Sequence, residues 1–159
     1  ALFAAITSIA IGWTYLGTEA QIDFEVRRAE ARQLLEIFPP DTHDNEIIDD
    51  VFEVAAETAL LGIRERRQGY RVRQGGNVIG VILPATARDG YSGDIRALVG
   101  VRRDGSVAGV RVVAHRETPG LGDKVDLRKS DWILDFNERS LTKPALRAWN
   151  VEKEGGVFD

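Results

Sequence analysis

The stretch Ile95–His115, I-R-A-L-V-G-V-R-R-D-G-S-V-A-G-V-R-V-V-A-H, decides the fold. Two runs rich in β-branched and small apolar residues, Ile95–Arg103 and Val107–His115, flank Asp104-Gly105, a short-range signal for a β-hairpin. Just upstream, Tyr70–Arg73 and Val78–Leu83 flank Gln74-Gly75-Gly76-Asn77 in the same way, so the middle of the chain is predicted to be antiparallel β. The segments N-V-I-G-V-I-L at Asn77 and S-V-A-G-V-R-V at Ser106 are alike at a separation of 29 residues. This hints at two similar β units, each leading to a glycine-bearing loop: Gly90-Tyr91-Ser92-Gly93 and Thr118–Gly122.

The second loop belongs to the string H-R-E-T-P-G-L-G-D-K at His115–Lys124. Gly120 and Gly122 allow positive φ and close approach of a ligand to bare backbone, while Pro119 fixes its own φ and biases Thr118 toward extended geometry. On composition alone such a loop reads first as a strand-to-helix connection. Glu117 and Asp123 are expected to pair with Lys124 or Arg116. His115 has no identifiable orienting partner, and the chain offers no nucleophile–base–orienter set, so no catalytic amino acid is nominated.

Outward from the hairpins, both flanks read as helical. Residues 1–18 carry no charge and are mostly Ala, Ile, Leu and aromatic. As a helix they span about 27 Å, close to the roughly 30 Å hydrocarbon core of a bilayer. Trp13 and Tyr15 fall near the polar end, where aromatic rings favour the membrane interface, so an uncleaved anchor is expected rather than a core helix or a signal peptide. Because no Lys or Arg follows until Arg27, the next segment is assigned to the non-cytoplasmic side. Glu19–Phe38 shows apolar residues at three- and four-residue spacing and ends at Pro39-Pro40. Asp41–Glu57 gathers seven carboxylates around His43, read as a polar turn feeding acids into the start of a helix. Beyond the loop, Asp126–Phe136 is predicted to form a short helix burying Trp132, Ile133 and Phe136, with Ser130 or Asp126 near its start, and Ala148–Val151 a last strand. The whole predicts an α+β fold: a transmembrane helix over residues 1–18, then one compact domain, 19–159, of antiparallel hairpins with flanking helices.

Composition narrows the function. A formal charge of −4 argues against nucleic acid, which selects a concentrated basic face. The densest basic stretch, Arg64–Arg73, is interleaved with Glu65, Gln68 and Gly69 and reads as a solvated face. With no cysteine, the chain has neither disulfides nor thiolate ligands for an iron–sulfur cluster, and its two histidines cannot build a multi-histidine metal site.

The strings E-T-P-G-L-G-D-K at Glu117–Lys124 and R-K-S-D-W-I at Arg128–Ile133, with the Gly90–Gly93 turn and the apolar N-terminus, resemble the G subunit of the Rnf electron-transport complex, the ion-translocating ferredoxin:NAD oxidoreductase. The likeness runs along essentially the whole chain; the C subunit of the sodium-pumping NADH:quinone reductase is similar more distantly. The resemblance implies a flavoprotein subunit that relays electrons through FMN. It also implies a single-pass protein of the bacterial inner membrane, with its FMN-binding domain on the periplasmic side and the bilayer and other membrane subunits as partners. Members of the family esterify FMN to a threonine of an S/T-G-A-T motif that follows G-G-x-F-D. Here Gly155–Asp159 reads G-G-V-F-D, so the attachment threonine is expected beyond Asp159. The residues nominated for FMN are Tyr91 and Leu121 as walls, Gly120 and Gly122 as bare backbone, Thr118 and Lys124 with loop amides at its polar end, and Ser92, Glu117 and Pro119 as further residues of the two loops. Without that threonine, a non-redox anchored scaffold is the alternative reading.

Overall fold

The computed structural model describes residues 2–158; within residues 1–20, only Thr7, Trp13 and Thr18 have described side chains. Helix α1 runs Leu2–Ile37, and five strands follow: β1 Val51–Val54, β2 Arg67–Gln74, β3 Asn77–Ala87, β4 Ile95–Arg102 and β5 Val107–Ala114. The chain divides into two compact units, 1–33 and 34–159. The first is α1 as far as Gln33, which matches the helix read from Glu19 onward. The apolar run expected to anchor the protein, residues 1–18, lies almost entirely outside the described side chains. Among the described residues no helix is long and apolar enough to cross a membrane.

The second unit is an antiparallel meander in the order β1-β2-β3-β4-β5. Both predicted hairpins are present. Gly75 and Gly76 both have positive φ, 57° and 76°, and join β2 to β3 across the Gln74↔Asn77 pair. That is the geometry a two-residue hairpin needs to match strand twist. At the second hairpin, the Gly105 N–H donates to the Arg102 carbonyl at 2.9 Å and the Arg102 N–H donates to the Ser106 carbonyl at 2.8 Å.

One face of the sheet buries Tyr70, Val72, Ile82, Leu98 and Ala108 against Leu34, Ile37 and Phe38, the last residues of α1 and its exit. Glycines in three strands make room for this contact. A Cβ on Gly80 would come within 2.6 Å of the Phe38 ring, one on Gly100 would run into Ile37, and Gly109 faces the Ile37 backbone. Strand glycines of this kind mark close approach of another element. Gly80 and Gly109, the glycines at matching places in the Asn77 and Ser106 segments, both lie against this helix end, and at Gly80 the contact is too close for a side chain. Arg111, 9% exposed, fixes that end: its Nε donates to Glu36 Oε2 at 2.9 Å and its Nη2 to the Glu36 carbonyl at 3.0 Å. A cation there also complements the partial negative charge of a helix C-terminus.

Three expected elements differ. Asp41–Glu57 forms no helix start; it makes short 3₁₀ turns, Pro40–Thr42 and Ile47–Asp49, and then β1. Its acids serve tertiary contacts instead. Asp44 accepts the Gly75 N–H, Asp50 takes the guanidinium groups of Arg71 and Arg73, and Glu57 accepts the N–H groups of Ala59, Leu60 and Leu61. The helix expected over Asp126–Phe136 shrinks to a 3₁₀ segment, Trp132–Phe136, with Ser130 Oγ accepting the Trp132 N–H at 3.1 Å. The last strand is replaced by 3₁₀ turns at Leu146–Ala148 and Glu152–Glu154 and a single bridge from Val151 to Phe158.

Candidate functional site

Strands β3 and β5 end, and β4 begins, beside the two glycine loops, and one carboxylate joins those loops. Glu117, 8% exposed, accepts the Ser92 N–H through Oε1 at 3.0 Å. Its side chain is wedged against both turns: a Cβ on Gly90 would lie 2.9 Å from Glu117 Oε1, and one on Gly122 would lie 2.7 Å from Oε2. A carboxylate this deeply buried needs hydrogen-bond donors. Here they come from backbone. Asp123, also 8% exposed, likewise accepts the Gly120 N–H at 2.8 Å. The expected ion pairs of Glu117 and Asp123 with Arg116 or Lys124 do not form among the described residues. Both acids organise loop amides, because at these positions the nearest unsatisfied donors are main-chain N–H groups.

The nominated residues thus separate into two groups. Glu117, Gly122 and the Ser92 amide build the loops from inside. Gly120, at φ 79°, turns the second loop, while the Thr118 carbonyl accepts the Leu121 and Gly122 N–H groups, each at 3.1 Å. Tyr91 (96% exposed), Leu121 (77% exposed), Thr118, Pro119 and Lys124 face outward. The missing side chain of Gly122 leaves room for Glu117. His115 does have a partner, since its Nδ1 accepts the Glu117 N–H at 3.1 Å, which leaves Nε2 to carry the proton of the neutral ring.

The sheet face opposite α1 holds a feature the sequence reading missed. A cleft of about 320 Å³ lies between Ala85, Ala87, Ile95, Ala97, Val99, Val107, Val110 and Val112 on the sheet and Val125, Trp132, Ile133, Phe136 and Trp149 opposite. Its lining is almost wholly apolar. Period-two placement of small residues, Ala85 with Ala87 on one strand and Ala97 on the next, was the available signal: short side chains leave a gap beneath large rings. The far wall is an aromatic cluster. Phe136 meets Trp132 edge-on at 5.2 Å and stacks on Phe158 at 4.5 Å, and Trp149 lies 5.4 Å from Phe158. Phe158 is brought there by Gly155-Gly156; any side chain on Gly156 would overlap the Asn150 backbone. Trp132, Ile133 and Phe136, expected to be core, all line the cleft as well.

Beside the cleft wall, Arg128 closes onto Asp126 with its side chain and backbone N–H and holds that carboxyl down at about 2. This ties down the start of the R-K-S-D-W-I string, four residues before Trp132.

Comparison with known proteins gives the family. Residues 90–157 match the family described as FMN-binding domain, a span running from the first glycine loop through the cleft wall to the G-G-V turn. Over 158 residues the chain is 46% identical to the G subunit of the ion-translocating oxidoreductase complex of Pseudomonas aeruginosa (strain UCBPP-PA14), covering 99% of this chain and 73% of that protein. It is 44% identical to the corresponding protein of Pseudoalteromonas atlantica, with the same coverage, and 39% identical to that of Vibrio atlanticus, covering 100% of this chain and 75% of that protein. The chain belongs to the family of G subunits of ion-translocating oxidoreductase complexes. FMN is accordingly the cofactor of this G-subunit domain. The residues present fit it: the broad faces of the flavin ring suit flat apolar walls, which the cleft supplies, and glycine loops rigidified by Glu117 and Asp123 stand at the cleft's end, next to Ile95 and Val125, where main-chain groups are available to its polar edge.

Proposed function

We propose that this chain is a flavoprotein subunit that relays electrons through FMN within an ion-translocating oxidoreductase complex, its ring seated in the cleft under Trp132, Phe136 and Trp149. The observation that carries the reading is the coincidence of an apolar cleft and two carboxylate-pinned glycine loops within one span, 90–157, matched by the FMN-binding family. FMN, when bound, supplies the redox chemistry; the protein supplies position and surroundings. The valines and alanines of β3–β5 exclude water from one side of the cleft, and the aromatic cluster closes the other. Tyr91 and Leu121, exposed at the loop tips, stand ready to cover the mouth, with Thr118 and Lys124 offering a hydroxyl and a cation to the polar part of the ligand.

Attachment through a threonine beyond Asp159 agrees with the position of Phe158, stacked on the cleft wall. An N-terminal anchor agrees with the uncharged run 1–18, and a domain on the periplasmic side agrees with the lack of Lys and Arg between that run and Arg27. The remaining subunits of such a complex are the partners.

The test uses the full-length protein purified from its membrane fraction. Flavin fluorescence that survives denaturation in a gel is expected for the native chain. It should be lost in Ala97→Leu, which fills the cleft with apolar atoms while keeping the domain folded by circular dichroism. A native chain with no bound flavin rejects the redox reading and leaves the anchored scaffold; a fluorescent Ala97→Leu protein rejects only the cleft.

A further inference from the structure

A second cavity, of about 490 Å³, is lined by Arg67, Gly93, Asp94, Arg96, Ala114, His115 and Arg116. It adjoins a smaller one, of about 210 Å³, which shares Arg67, Asp94 and Arg96 and adds Thr86. Strand alternation separates both from the flavin cleft. Ile95 and Ala97 line the cleft while Arg96 between them lines the basic cavity, and Thr86, paired with Arg96, lies between Ala85 and Ala87 of the cleft.

The cations here are underused. The Arg96 and Arg116 guanidinium groups make no hydrogen bond or ion pair among the described residues. Arg67 reaches Glu65 with Nη2 at 3.3 Å, but its buried Nε has no partner. The other arginines of β2 contrast with this: Arg71 and Arg73 both engage Asp50. His115, whose Nδ1 accepts the Glu117 N–H, also lines the cavity. The guanidinium forks of Arg96 and Arg116, with that of the partly engaged Arg67, surround one concavity whose own lining carries the carboxylate of Asp94, while Glu65 stands beside Arg67 in the adjoining one, so donors are in excess around Arg96 and Arg116. Planar forks of this type match the oxygens of a phosphate group two at a time, and the concave shape suits a compact anion better than a flat protein surface.

We propose that this cavity is a binding site for a phosphate oxyanion, separate from the flavin cleft, with Arg96 and Arg116 as its principal contacts and Asp94 accepting a hydroxyl of the same ligand. The phosphate belongs either to a free phosphorylated small molecule or to a phospholipid headgroup.

The experiment titrates the full-length flavin-loaded protein in detergent with inorganic phosphate by calorimetry at constant ionic strength. In parallel, it measures co-sedimentation with phosphatidylglycerol vesicles against phosphatidylcholine vesicles. Arg96→Gln and Arg116→Gln are compared with Arg66→Gln, whose arginine pairs with Glu53 outside the cavity. Saturable phosphate binding, weakened about tenfold by each cavity substitution and unchanged by Arg66→Gln, is expected for a free ligand, since one lost charge-assisted contact is worth about that factor. Preference for phosphatidylglycerol with the same mutational pattern, without binding of inorganic phosphate, identifies the headgroup. Absence of both, or equal losses in all three variants, overturns the site. Flavin fluorescence recorded on the same samples keeps this outcome independent of the flavin reading.

Discussion

Replacing Glu117 by glutamine and by alanine separates its two roles, because glutamine keeps the volume and one carbonyl oxygen for the Ser92 N–H while alanine removes both. Glu117→Ala is expected to destabilise the domain by about 1–3 kcal/mol, the range for orphaning a hydrogen-bonding group, and to reduce flavin content; Glu117→Gln should retain most of both. Thermal unfolding and flavin absorbance check the pair. The two loop glycines should likewise behave differently. Gly120→Ala meets open space but a positive φ, costing about 1–2 kcal/mol. Gly122→Ala collides with the Glu117 side chain and should be partly rescued by Glu117→Ala, whereas Gly120→Ala should not. Equal rescue of both would show that the wedge is misplaced. The sequence marked this loop as special through its glycines and proline, but charge-pairing logic misassigned Glu117 and Asp123. For Glu117 the local string displays neighbouring cations and hides an amide that arrives from 25 residues away, and for Asp123 the partner is a main-chain N–H three residues back that residue letters do not display.

At the scale of elements, the hairpins were legible because turn chemistry is local: Gly75-Gly76 and Asp104-Gly105 fix register within a few residues. The acidic run was not, since Asp44 and Asp50 find their partners across the sheet at Gly75, Arg71 and Arg73. The apolar cleft also escaped notice, because a gap between two elements belongs to neither sequence. The socket for the α1 end gives a sharp expectation. Gly100→Ala should lower stability by about 1–3 kcal/mol through overpacking against Ile37. The double variant Gly100→Ala/Ile37→Ala should be less destabilised than the sum of the single changes; simple additivity in denaturant titrations would contradict direct contact.

At the scale of the molecule, four carboxylates among the described residues are held below their ordinary values. Asp50 is lowered chiefly by Arg73, Glu57 by the Leu60 and Leu61 amides, Asp104 by the Ser106 hydroxyl and Asp126, to about 2, by Arg128. In each case the unfolded chain takes up its proton first as pH falls. Their stabilisation is therefore complete above the ordinary values of 3.8 to 4.5 and is lost on acidification, for Asp126 down to about pH 2. Urea midpoints should be flat near neutrality and drop below about pH 4, less steeply in high salt because these groups lie near solvent. A midpoint that rises on acidification would contradict the assignment. The meander has a further consequence for how the chain reaches this state. Every strand pairs with its neighbour in sequence, so the sheet closes through short loops, and the 75-residue closure between Glu36 and Arg111 has to wait until β5 is in place. Stopped-flow measurements on Arg111→Lys should accordingly show faster unfolding with refolding nearly unchanged, making the helix clamp a late brake on escape and leaving the sheet free to form first.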